Sequence, residues 1–173
     1  MSRIEELRDE ILNFDDGSCR DINFDRIECD GVVAIIESLL NNSSTATGSD
    51  GWGDPLDTLE INATDICSRA QKKSFCHLCL SDVADLFREL QIFVCYEDSG
   101  MPFIELTFFP VDLLPIFTPQ KLFNELIRLA TLGHAGNFFL RYENVSWQFG
   151  TSGPGTGVIV TWHDIRESKL FDL

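Results

Sequence analysis

Ile92-Phe93-Val94-Cys95-Tyr96-Glu97-Asp98-Ser99-Gly100-Met101-Pro102-Phe103-Ile104-Glu105-Leu106-Thr107-Phe108-Phe109 is the stretch on which the fold turns. Its two apolar runs, 92–96 and 103–109, follow a period of two, and Glu97-Asp98-Ser99-Gly100 between them has turn composition. A period of two belongs to strands with one face in a core, so the pair reads as a β-hairpin. Pro110 and Pro115 end this segment. Thr118-Pro119 then supplies a capping hydroxyl and a proline at the first helical position, opening a helix that buries Leu122, Phe123, Leu126, Leu129 and Ala130 and stops at Gly133.

Toward the N-terminus, Ser81 reads as the cap of a helix with Val83, Leu86, Phe87 and Leu90 inward. Before it lie a weakly alternating strand over 59–63, a basic patch of Arg69, Lys72 and Lys73, and the run Phe75-Cys76-His77-Leu78-Cys79-Leu80. The chain opens with the capping-box pattern Ser2-x-x-Glu5 and a helix bearing Ile4, Leu7, Ile11 and Phe14. A short strand follows over 20–24, and Asp30 caps a second helix whose Val32, Val33, Ile35, Ile36, Leu39 and Leu40 cover most of its circumference. Residues 41–57, polar and centred on Trp52, read as a loop long enough to be functional.

Toward the C-terminus, residues 137–149 are β-rich, and their apolar parity shifts from Phe138, Leu140 and Tyr142 to Val145, Trp147 and Phe149. A bulge or tight turn near Glu143-Asn144 restores one inward face. Residues 158–162 supply another strand. The expected fold is therefore one α+β domain spanning 1–173, an antiparallel sheet with about four helices packed on it.

Charge narrows the function classes. The 173 residues carry 28 acids against 13 bases, a net charge of −15. Residues 1–60 alone hold 15 acids and 4 bases. Such a field repels phosphate backbones and anionic lipid, disfavouring direct nucleic-acid or membrane binding, and it steers a basic protein partner inward. No apolar run approaches the ~20 residues of a membrane helix. The acidic N-terminus does not resemble an export signal, so the chain reads as cytoplasmic and its six cysteines as reduced thiols.

Motifs that carry chemistry are weak. Cys76-x-x-Cys79 lacks the second ligand pair of a zinc site, and on a strand its two thiols point to opposite faces. Cys29, Cys67 and Cys95 read as small hydrophobes in or beside apolar stretches. The glycine-rich 150–157 segment is followed by a β-type run instead of a helix, so it joins two neighbouring antiparallel strands and does not cradle phosphate. Asp50, Asp54 and Asp57 lack calcium-loop spacing. No cofactor, metal or catalytic residue is assigned.

The leading expectation is a non-catalytic acidic module that binds a basic protein, such as an immunity protein occluding a cationic bacterial toxin. Asp50, Asp54, Asp57 and Glu60 would supply charge and Trp52 an apolar anchor, with Arg141, Tyr142 and Glu143 as further contacts of the type that hot spots favour. A second reading is an enzyme, a hydrolase or transferase, assembled from Cys79, His134 and His163. A third is a structural or regulatory subunit of a larger assembly.

Overall fold

The computed structural model describes residues 3–13, 17–51, 53–57, 61–73, 75–97, 99–143, 152 and 156–167. Seven strands form one sheet: β1 (Arg20–Asp25), β2 (Thr45–Asp50), β3 (Phe75–Val83), β4 (Phe87–Tyr96), β5 (Pro102–Phe108), β6 (Asn137–Tyr142) and β7 (Val158–Thr161). Their spatial order is β2-β3-β4-β5-β1-β6-β7, and every neighbouring pair is antiparallel. Among the described residues, five helices complete the α+β fold: α1 (Arg3–Leu12), α2 (Cys29–Asn41), α3 (Ala63–Lys73), α4 (Pro119–Leu132) and α5 (Trp162–Glu167). A 3-10 turn, Pro110–Asp112, follows β5.

The β4–β5 hairpin pairs in the register that its alternation implies, with Ile92 opposite Leu106 and Val94 opposite Ile104. These side chains are buried, and the row continues through Leu78 on one side and Ile22, Leu140 and Val160 on the other. The buried apolar side chains of all five helices join them in a single core cluster. Thr118 caps α4 by accepting from the Lys121 backbone N–H at 3.2 Å, with Pro119 next to it. Gly31 lets α2 approach the end of α4, because a Cβ there would stand 2.2 Å from the Gly133 carbonyl oxygen.

Four local expectations are corrected. Residues 81–90 are the β3–β4 hairpin, not a helix: Val83 pairs with Phe87 and Leu80 with Leu90. Apolar residues spaced at three and four positions mimic a helix here because the turn adopts left-handed backbone at Asp82, Ala84 and Asp85. Ala84 is held in that strained region by its N–H to the Asn42 carbonyl at 2.9 Å. Within the predicted 41–57 loop, residues 45–50 form edge strand β2, and the chain then doubles back so that Leu56 N–H reaches Gly48 O at 2.9 Å. This return covers the sheet edge. Residues 61–62 are not a strand but lead into α3, where the Asn62 side chain accepts from Asp65 N–H at 2.9 Å. Asp30 lies in the first turn of α2 with Glu28 at the N-cap.

Ser2, Phe14 and residues 144–151 lie outside the described residues, as does most of the glycine-rich segment. β6 and β7 on either side of it pair antiparallel, as expected, with an irregularity between Leu140 and Arg141.

Candidate functional site

The strand registers divide the sheet into two faces. One face lies in the core with the helices. On the other, cross-strand neighbours form three rows: Phe75-Cys95-Phe103, then Ser49-His77-Phe93-Glu105-Asn23-Phe139, then Thr47-Cys79-Gln91-Thr107-Asp21-Arg141. Phe75, Phe93 and Phe103, each half-buried, stand outside the core cluster, and Phe139 on the same face is buried. Over β3 and β4 this face is half exposed, with Phe75, His77, Cys79, Gln91 and Phe93 partly in solvent. The His77 and Phe93 rings stack there, 4.6 Å between centroids and 17° between planes. His77 Nε2 also lies 3.2 Å from Gln91 Oε1.

Toward β1 and β6 the same face sinks into a buried polar network. Arg141 is 7% exposed. It pairs with Asp21 (Nη1 to Oδ2, 3.1 Å) and Glu105 (Nη2 to Oε2, 2.5 Å), while its Nε donates to Asn23 Oδ1 at 2.7 Å. Asn23 Nδ2 donates to the same Glu105 oxygen at 3.0 Å, and Thr107 Oγ1 donates to Asp21 Oδ1 at 2.8 Å. An arginine removed from water requires such partners on most of its donors. The network holds one guanidinium and two carboxylates.

The sequence-predicted partner residues divide between locked and exposed groups. Asp50 is buried at the turn, where its carboxylate accepts from the Asp54 backbone N–H at 3.2 Å and lies 4.0 Å from Lys73 Nζ. Its main job is thus to shape the turn, as aspartates do when they bond backbone nearby. Asp54, Asp57 and Glu143 are exposed, whereas Trp52 and Glu60 lie outside the described residues. Tyr142 points to the helix-covered side, under the buried Arg20 guanidinium at 4.3 Å from its ring. Arg141 and Asp50 are therefore buried, and Tyr142 is half-buried against Arg20. Asp21, Asn23, Glu105 and Phe93 carried no local signal, because only the register across four strands brings them together.

Cys79 and His163 of the Cys/His enzyme reading stand far apart. Cys79 is on β3 and His163 follows β7, five strand spacings or roughly 24 Å away. His134 sits at the end of α4 with φ of 51°. Burial and then the Glu89 carboxylate push the Cys79 thiol up to about 11, opposite to what a nucleophile needs. On β3, Cys76 faces the core and Cys79 the other side, and all six cysteines are free thiols. Cys29 is exposed in the first turn of α2, so the reading of it as a small hydrophobe is corrected. Among the described residues, no helix is long and apolar enough to cross a membrane.

At the sheet's far edge, Asp164 and Thr161 cap α5 reciprocally: Asp164 Oδ2 accepts Thr161 N–H at 2.7 Å, and Thr161 Oγ1 accepts Asp164 N–H at 3.2 Å. Burial raises the Asp164 pKa, but bonds from Thr161 and Ser152 and the nearby His163 outweigh it and hold the carboxyl below the ordinary range.

No protein-family model matches this chain, and no curated protein matches its sequence. Among solved structures, it is similar to a chain in the crystal structure of the toxic C-terminal tip of CdiA from Pseudomonas aeruginosa in complex with immune protein. The identity is 9%, over 73% of this chain and 87% of that one, with a TM-score of 0.49. A likeness of that size leaves function to the residues themselves.

Proposed function

We propose that this chain is a non-catalytic acidic protein-binding module of the immunity type, one that occludes a basic, toxin-like protein partner. The observation that carries the reading is the group of half-buried phenylalanines, Phe75, Phe93 and Phe103, on the sheet face away from the helices, in a chain of net charge −15. Solvated sheet faces ordinarily turn polar residues outward, so partly exposed Phe75 and Phe93 beside carboxylates suit a surface that a cationic protein covers. Long-range charge steers the encounter, and the aromatic groups supply the close contact that slows dissociation.

Asp54 and Asp57 extend the acidic field along the β2 edge, and Glu143 adds to it beside β6; Trp52 and Glu60 belong to the same stretch of sequence as the first two. Arg141 and Tyr142 serve the interface from within, by holding the strands that carry it. The reading places the chain in the cytoplasm, where six thiols stay reduced.

The test mixes the chain with whichever basic protein domains the genes flanking its own turn out to encode. Expected are neutralised toxicity on co-expression and an association rate that falls about tenfold or more between ~10 mM and ~150 mM salt. Salt-independent association, or toxicity left untouched, refutes the proposal.

A further inference from the structure

We infer that the step between Phe93 and Glu105 on the open sheet face is a seat for one arginine side chain of the basic protein partner. The inference rests on the function proposed above and names the chemistry at its centre. Phe93 and Glu105 are directly opposite across β4 and β5. His77, on the β3 side, stacks nearly parallel on Phe93. One flat side of the phenyl ring is thus taken, and the other turns toward β5, where Glu105 stands.

Glu105 leans the opposite way. Its Oε2 accepts from both Arg141 Nη2 and Asn23 Nδ2, which fixes the carboxylate from the β1 and β6 side. Its Oε1 takes no bond among the described residues, and among those same residues no buried side-chain oxygen is left without a partner. The Glu105 carboxylate, on a side chain one-fifth exposed, is therefore held in place directly across from the Phe93 ring. The buried network that holds it has two carboxylates for one guanidinium, so a negative charge is left over at the point where a cation would arrive.

A guanidinium fits both features at once. It is planar and stacks on an aromatic face, while the N–H groups on its rim donate to carboxylate oxygen. An ammonium is a hydrated point charge without a flat face, so lysine satisfies the oxygen and forgoes the stacking. Because Glu105 is already immobilised by Arg141 and Asn23, docking costs it little rotamer freedom.

The test titrates the full-length chain, 15N-labelled, with an octa-arginine and an octa-lysine peptide at low salt, following backbone amides and the Arg141 Nε–H. Octa-arginine is expected to shift Phe93, His77, Glu105 and the Arg141 Nε–H, and to bind about threefold or more tightly than octa-lysine. Glu105→Gln keeps an acceptor for Arg141 and Asn23 but removes the charge, and should weaken octa-arginine about tenfold. Phe93→Ser leaves the buried network untouched and should weaken it about threefold, so the seat remains testable if the Glu105 variant folds poorly. Equal binding of both peptides overturns the arginine assignment. Shifts confined to residues 50–57, with both variants silent, overturn the seat while leaving the acidic binding surface standing. Binding of neither peptide anywhere overturns the proposed function as well.

Discussion

Two buried arginines lie one register step apart on the same pair of strands and face opposite sides of the sheet. Arg20 on β1 stands opposite Tyr142, and Arg141 on β6 stands opposite Asp21. Arg20 points to the helix-covered side, where its guanidinium donates to the backbone carbonyls of Glu10, Asn13, Ser18 and Cys19 and lies over the Tyr142 ring. Glu10 and Asn13 are at the C-terminal end of α1, whose last carbonyls have no partner within the helix and carry the negative end of its dipole. Arg20 thereby ties helix to sheet. Arg141 faces the side away from the helices and meets side-chain carboxylates instead, and one of these, Glu105, bonds through a single oxygen among the described residues. The same residue type is structural on one face and preparatory on the other. What differs is whether its partners are backbone groups or side chains with capacity to spare.

The comparison of faces breaks most visibly at phenylalanine. Phe108 is 1% exposed on the covered side and rests against Phe87 at 5.1 Å between ring centroids. Phe108→Ala should cost about 4 kcal/mol in urea denaturation. Next come the arginines. Arg141→Met strands Asp21 and Glu105 without their cation, and Arg20→Met releases the carbonyls at the end of α1, each costing about 3 kcal/mol. The two should differ in repair. Adding Asp21→Val and Glu105→Gln to Arg141→Met is expected to recover most of the loss, since replacing a whole buried ion cluster by uncharged groups is tolerated far better than removing one member. No comparable pair of side-chain changes rescues Arg20→Met, because its partners include backbone. Equal rescue of both would dissolve the distinction.

Much of this architecture is legible in the sequence, though not the part that differentiates the faces. The period of two in 92–109 marks both strands, and the Thr118-Pro119 start of α4 is a local chemical signal. Residues 81–90 mislead because left-handed turns at Asp82, Ala84 and Asp85 bear no glycine to announce them. Residues 45–50, Thr-Ala-Thr-Gly-Ser-Asp, become a strand through pairing with β3, since their own composition is that of a loop. Arg141 is visible as an unusual residue, yet its partners come from positions 21, 23 and 105, and nothing within its own segment specifies them.

Where the two faces meet, at the β7 edge, the effects become smaller and depend on pH. Asp164→Asn weakens the reciprocal cap of α5 and should cost about 1 kcal/mol at pH 7. The Asp164 carboxyl titrates lower in the folded chain than in the unfolded one, so its contribution is complete above the ordinary carboxylate pKa of about 4 and is lost as pH falls through its depressed folded value. Denaturation midpoints of wild type and variant should therefore converge on acidification. A gap that persists undiminished at low pH would mean that the cap does not depend on the ionised carboxylate.

The smallest stability effect is expected at the residue with the largest proposed role. Phe93 is half-buried, stacked on His77 and outside the core cluster, so Phe93→Ala leaves the packing of the helices intact. Its cost should be below about 1 kcal/mol, the ordinary range for surface changes plus a lost ring contact. A residue that costs so little to remove is not there for the fold, and an aromatic ring in solvent is a liability unless something covers it. Measured side by side, Phe93→Ala and Phe108→Ala thus separate the two faces by two readouts. Phe108 should register in stability, with partner affinity of the folded fraction unchanged, and Phe93 in dissociation rate, with stability nearly unchanged. If Phe93→Ala instead destabilised the chain as much as Phe108→Ala, the open face would be a second core, and a binding surface there would lose its physical basis.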